Sequence, residues 1–220
     1  VDGAPRSAVV LGAGFIGLEV AENLRRRGID VTVVELADQV LAPLDPELAQ
    51  LVAEHLRGHG VSLRLGVSAA AIDDDAVELT DGTSIPAELV VAAIGVRPES
   101  SLARDCGLEL DPRGGILVDD HQRTSDPGIY AVGDAATKRD AISGDAVLVP
   151  LAQTANRHGR LVADVICGRD VASRPVLGTA VVGVFDLTAA TVGWNEKRLR
   201  AAGRDARIIH SHPPDHARYY

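Results

Sequence analysis

The 220-residue sequence contains no methionine, only two cysteines, and few aromatics: one Trp, three Tyr and two Phe. A translated chain starts with Met, and a core of this size ordinarily uses a few as gap-fillers, so the sequence is expected not to begin at its gene's start. Cys106 and Cys167 lie far apart, in neither a CxxC redox pair nor a metal-ligand spacing, which leaves disulfide scaffolding and structural zinc unsupported. Each reads as a small buried hydrophobe. No apolar run approaches the ~20 residues that span a bilayer, and the first residues lack the charged-then-apolar pattern of a secretion signal. Lysine is scarce too, two against 20 arginines (2 + 20 = 22 basic residues), and the arginines are scattered rather than clustered. With a formal net charge of −9 and a pI near 5.2, the chain repels nucleic-acid backbones and anionic membranes, and neither is expected as a partner. The expected location is the cytoplasm.

What is present is a globular composition, 46% hydrophobic and 24% charged, enough for one or two ordinary cores. Residues 7–12 (SAVVLG) read as a strand, 14–28 as a helix ending at Gly28, and 30–35 (DVTVVE) as a second strand. A helix then starts with Pro46 at its first position and runs to Gly58, before a strand at 61–65. The β-α-β-α-β order predicts a Rossmann-type α/β fold with a parallel sheet. Residues 67–85, with the Asp81-Gly82 turn, read as a small antiparallel meander. The run ELVVAAIG at 88–95 is apolar on both faces, as in a strand buried centrally in a parallel sheet.

Beyond Pro98 the pattern changes. Residues 99–115 read as loop, with strands expected at 116–119 and 129–132 and a long helix from Leu151 to Cys167. Later strands are expected at 179–185, 188–193 and 206–211, with a short helix after Asn195. These shifts divide the chain into 1–100, 101–174 and 175–220. The last region has too few apolar positions for a full domain and is expected to be cut short.

Gly12, Gly14 and Gly17 stand in GxGxxG spacing where a strand hands over to a helix, and Glu35 ends the next strand 18 residues later (35 − 17 = 18). That context is a dinucleotide fingerprint. Gly12 permits the tight turn, Gly14 lets backbone approach a pyrophosphate, and Gly17 lets helix pack on sheet, leaving helix N–H groups for the phosphates. Glu35 can accept hydrogen bonds from both adenosine ribose hydroxyls, whereas a 2′-phosphate would meet a carboxylate with no arginine among Leu36, Ala37 and Asp38. NADH is therefore expected over NADPH.

The sequential set GAGFIGLEVAE at 12–22, AAIGVRP at 92–98, TSDPGIYAVGDAA at 124–136, VPLAQTANRHGRLVA at 149–163 and FDLTAATVGWNE at 185–196 resembles the pyridine nucleotide-disulfide oxidoreductases. The similarity is greatest to their CoA-disulfide reductase and NADH oxidase branch. The resemblance implies an NADH-binding Rossmann domain over 1–100, the C-terminal portion of an FAD-binding domain over 101–174, and the start of an α+β dimerisation domain over 175–220. It implies an NADH set of Gly12, Gly14, Phe15, Ile16, Gly17, Glu19, Glu35 and Gly95, with Phe15 covering the flavin until nicotinamide displaces it and Glu19 beside the nicotinamide. It implies an FAD set of Gly133, Asp134, Leu151 and Ala152, only part of a full site. The implied reaction sends a hydride from NADH to flavin, then electrons to a cysteine that handles a small-molecule disulfide, CoA disulfide foremost, with oxygen, peroxide or a small redox protein as the alternative acceptor; a non-catalytic NADH-binding or dimerisation module is the alternative of another class. That cysteine matches neither Cys106 nor Cys167 and is expected upstream, so no catalytic residue is assigned. HARYY at 216–220 resembles the dimerisation motif in which a tyrosine reaches the other subunit's cysteine, making Tyr219 or Tyr220 an accessory candidate and the whole protein a homodimer. His210, His212, Asp215 and His216 have no regular metal-ligand spacing, and no metal is expected.

Overall fold

The computed structural model describes residues 5–214. Strand β1 (Ser7–Leu11), helix α1 (Phe15–Arg26), strand β2 (Asp30–Glu35), helix α2 (Pro46–Gly58) and strand β3 (Ser62–Leu65) follow the expected alternation. After the meander β4 (Ala69–Ile72), β5 (Ala76–Leu79) and β6 (Ser84–Pro86), strand β7 (Leu89–Ala92) returns beside β1 and closes a parallel sheet of order β3-β2-β1-β7.

Period-two alternation builds two apolar layers on this sheet. Ala8, Val10, Val31 and Val33 face one core with Leu18, Ala21 and Leu24 of α1 and Val52, Ala53 and Leu56 of α2. Val9, Leu11 and Val34 face the other, completed by Val77 and Leu79 of the meander. β7 is apolar on both faces for the same reason: Leu89 and Val91 pack on the helical side and Val90 on the meander side. It is nonetheless an edge strand of this sheet, half-buried rather than central, which corrects the expectation.

Beyond the sheet come the short helix α3 (Ser101–Asp105), where loop was expected, the hairpin β8 (Lys138–Arg139) and β9 (Ala146–Val147), and helix α4 (Ala152–Ile166). Residues 116–119 and 129–132 do not form strands. They pair through isolated bridges, Ile116 with Leu110 and Ala136 and Tyr130 with Arg123, so the apolar runs have no extended neighbour to ladder with. Strands β10 (Ala180–Val184) and β11 (Leu187–Thr191) form a hairpin, and helix α5 (Glu196–Ala201) is capped by Asn195 Oδ1, which accepts the Arg198 N–H at 2.9 Å. Residues 206–211 are exposed and form no strand. Cys106 and Cys167 are both exposed rather than buried, each sitting just past a helix end where the chain turns outward.

The hairpin does not stand apart. Val182 and Val184 are buried in the same core as α1 and α2. Asn195 Nδ2 donates to the carbonyls of Ala42 and Pro43, and the Glu196 N–H donates to Asp45 Oδ1 at 2.8 Å. Asp45 thus spends its side chain on α5 instead of capping its own helix α2.

Candidate functional site

At the C-terminal end of the parallel strands lies a cavity of about 630 Å³ lined by Leu11, Gly12, Gly14, Glu35, Ala93 and Gly95 among others. This is the edge where open α/β sheets place their ligands. The glycine roles separate on steric grounds. Gly12 has φ +102°, and a Cβ there would overlap the carbonyl oxygen of Ala93. A Cβ on Gly17 would run into the carbonyl oxygen of Gly12, so both glycines are demanded by the protein itself. Gly14 is different: nothing lies within 4 Å of where its Cβ would be, and its backbone is ordinary and extended. No protein atom fills that space, and Gly14 lines the cavity.

Gly14 is also the N-cap of α1 and offers no side chain to the helix. The first helical N–H groups therefore point outward without intrahelical partners, with the positive end of the helix dipole behind them. Glu35 fixes this turn. Its Oε2 accepts the Ala13 N–H at 2.7 Å and its Oε1 the Ala37 N–H at 2.8 Å, which binds the end of β2 to the glycine loop. Each carboxylate oxygen keeps a second lone pair for a ligand hydroxyl.

Of the residues expected around NADH, Gly12, Gly14, Glu35 and Gly95 line this one cavity. Gly17 is buried behind it and Phe15 packs against the helical core. Ile16 and Glu19 line a shallow groove on the outer side of α1 with Val20 and Asn23, and Ile16 is 61% exposed. The expected FAD residues do not line the cavity. Gly133 has φ +82° with nothing within 4 Å of its Cβ position, and the Asp134 carboxylate beside it is exposed, so the loop offers open backbone and an acceptor. Leu151 is the N-cap of α4 with no side-chain cap and Ala152 its first residue, again leaving free N–H groups. Tyr219, Tyr220, Asp215 and His216 lie outside the described residues. His210 sits 3.6 Å from Glu47, and exposed His212 joins it in no metal-ligating cluster among the described residues.

Two groups escaped the sequence reading. Lys138, one of the two lysines, is 4% exposed, and its Nζ donates to the carbonyls of Gly133 and Ala136. Burial lowers its pKa from the usual lysine value, with the Asp134 charge opposing. Asp140 is equally buried: Oδ2 accepts from Trp194 Nε1 at 3.0 Å and Arg198 at 3.1 Å, and Oδ1 accepts the N–H groups of Ile142 and Ser143. Burial resists its ionisation, but the Trp194, Ile142, Ser143 and Arg198 hydrogen bonds outweigh it and hold the carboxyl below the ordinary range. Arg198 and Arg204 both lie over the Trp194 ring, at 4.7 and 5.3 Å from its centroid. The signal for Lys138 was its rarity. Asp140 carried none, since its side-chain partners Trp194 and Arg198 are more than fifty residues away.

Comparison with known proteins follows the same lines. The pyridine nucleotide-disulphide oxidoreductase family profile matches residues 1–159. An NADH oxidase of Streptococcus pneumoniae (strain ATCC BAA-255 / R6) is 37% identical over 90% of this chain and 44% of its own length. A coenzyme A disulfide reductase of Staphylococcus aureus (strain JH9) is 32% identical over 96% of this chain and 48% of its own length. The crystal structure of reduced Bacillus anthracis CoADR-RHD superposes on all of this chain and 40% of that one, with a TM-score of 0.96 and 45% identity. The chain spans about half the length of the curated relatives it matches.

Proposed function

This chain belongs to the pyridine nucleotide-disulphide oxidoreductase family, and from that premise we propose that it supplies the NADH site and the C-terminal part of the FAD site of a flavoenzyme reducing a disulfide, CoA disulfide foremost. The observation that carries the reading is the cavity uniting Gly12, Gly14, Glu35 and Gly95 at the strand ends. When bound, NADH supplies a hydride and FAD relays two electrons to the acceptor.

The chain's own residues bind and orient. The free N–H groups at the start of α1 hold the pyrophosphate, with Gly14 leaving it room, and Glu35 accepts the ribose hydroxyls. Phe15, Ile16, Glu19 and Gly95 serve the nicotinamide half, while Gly17 keeps the helix close to the sheet. On the flavin side Asp134 accepts a ribose or ribityl hydroxyl beside the open backbone of Gly133. The N-terminus of α4 at Leu151 and Ala152 favours negative charge on the ring. In this reading 1–100, 101–174 and 175–220 are the NADH, FAD and dimerisation portions, and the redox cysteine lies outside the chain. The whole protein is a cytoplasmic homodimer in which Tyr219 or Tyr220 of one subunit assists the other.

CoA disulfide is favoured by the relatives named coenzyme A disulfide reductase and by HARYY at 216–220. A second reading, oxygen or peroxide as acceptor, is supported by the relatives named NADH oxidase. The test is a visible spectrum of the purified full chain after FAD incubation and desalting, followed by NADH consumption with CoA disulfide or with oxygen. A retained flavin band and faster turnover with CoA disulfide are expected. Rapid oxygen reduction without disulfide turnover overturns the acceptor, and NADH binding with no flavin under any condition overturns the enzyme reading.

A further inference from the structure

Away from the nucleotide cavity, three side chains converge where α2 meets the turn of the β10–β11 hairpin. His55 lies in the last turn of α2 and His59, four residues on, is its C-cap, while Asp186 comes from the turn, 131 residues beyond His55 (186 − 55 = 131). Asp186 Oδ1 lies 2.7 Å from His55 Nε2 and 3.6 Å from His59 Nε2, and one ligand atom of each residue falls within 4.8 Å of the other two. Bonds of about 2.0–2.1 Å in tetrahedral array set donor atoms roughly 3.3 Å apart, so shifts of an ångström or less would make these atoms a coordination shell.

The orientation of the rings points the same way. His59 Nδ1 donates to the His55 carbonyl oxygen at 2.9 Å, which turns Nε2 toward the Asp186 carboxylate. A metal-binding histidine is commonly oriented in this way through its second nitrogen. His55 Nε2 is buried without an aligned hydrogen-bond partner, although the carboxylate is near. The Nε2 atoms of both rings and the Asp186 carboxylate oxygen thus converge on one point.

The turn is held at some strain. Phe185 has φ +56°, a costly conformation for a bulky residue, and keeps it because its N–H donates to Glu22 Oε2 at 2.9 Å and its ring stacks on His59, centroids 4.0 Å apart. Asp186 is 82% exposed and leaves room for water to complete the shell.

We propose that His55, His59 and Asp186 bind a divalent transition-metal ion of the zinc class, stapling the hairpin to α2. Two imidazoles and a carboxylate suit zinc, cobalt or nickel better than magnesium or calcium, which prefer all-oxygen shells.

The test uses the full chain stripped with a chelator, titrated with Zn²⁺ by calorimetry and with Co²⁺ by visible absorption. One site per chain is expected, with a rise in melting temperature on Zn²⁺ addition. His59→Gln and Asp186→Asn should each weaken binding at least about tenfold and abolish the rise. The metal-free melting temperatures of both variants establish that each is folded. A Cys106→Ser/Cys167→Ser variant, which removes the two exposed thiols as rival ligands, should bind as the parent does. Binding lost in the cysteine variant but kept in His59→Gln overturns the proposal. So does an unchanged melting temperature at a thousandfold excess of metal, which would leave the three groups as a hydrogen-bonded cluster only.

Discussion

Glu35 and Ala13 are joined across the mouth of the nucleotide cavity, the carboxylate accepting the loop N–H at 2.7 Å. The residue proposed to read the ribose also holds the glycine turn in shape, and a substitution there acts on both. Glu35→Gln replaces one acceptor oxygen by a donor facing a backbone N–H. It is expected to weaken NADH binding by about tenfold, the 1.4 kcal/mol within reach of one charge-assisted hydrogen bond. In the parent, NADPH should bind at least about tenfold more weakly than NADH. Fluorescence titrations with both cofactors check this, and equal dissociation constants in the parent would remove Glu35 as the discriminator.

Gly17 and Gly14 should respond oppositely to the same substitution. Gly17→Ala drives a methyl into the Gly12 carbonyl and is expected to cost about 3 kcal/mol of stability. Gly14→Ala meets no protein atom within 4 Å and should change stability by no more than about 0.5 kcal/mol while lowering NADH affinity. Paired denaturation and binding curves separate the two. Loss of stability in Gly14→Ala with affinity intact would show the open space to be structural.

Asp140 couples stability to pH. Its carboxyl is held below the ordinary range in the fold, so the stabilisation is fully present above about pH 4 and is lost as pH falls through the folded value. Asp140→Asn should flatten that acid loss. At neutral pH Asp140→Ala should cost about 2 kcal/mol, kept modest because Arg198 is half exposed and screened. Urea midpoints at neutral and acid pH provide the measurement, and an unchanged acid slope in Asp140→Asn would assign the effect elsewhere.

Lys138 acts at the other end of the scale. Its pKa is depressed by burial, so the fold binds its proton less tightly than the unfolded chain and stability rises as pH climbs from the folded value toward about 10.4. Lys138→Met should remove that alkaline rise. It also leaves the Gly133 carbonyl without its donor, and flavin retention by the full chain should fall about tenfold while far-ultraviolet circular dichroism stays unchanged. Full flavin retention in the variant would separate Lys138 from the Gly133 loop.

The parallel order, the meander and the glycine turn were legible because their signals are local: period-two apolar strands, the GxGxxG spacing and an acidic strand end within some thirty residues. The apolar runs at 116–119 and 129–132 misled for a related reason. A strand needs a neighbour as well as a composition, and these segments meet only isolated bridges. The exposed cysteines misled because residue preference describes an average, and both lie just past helix ends. The His55 and His59 pair carried an i, i+4 signal in the sequence, but its third member is brought in from 131 residues away (186 − 55 = 131).

By itself, then, the sequence determined the alternating elements over residues 7–92 and the glycine turn, because helix period, strand alternation and the steric demands of Gly12 and Gly17 act over a few residues. Tertiary structure alone decided that β7 is an edge, that Asp45 serves α5 rather than α2, and that Asp140 gathers Trp194 and Arg198. Those are long-range pairings, and they depend on which buried polar group can find a partner once the chain has closed upon itself.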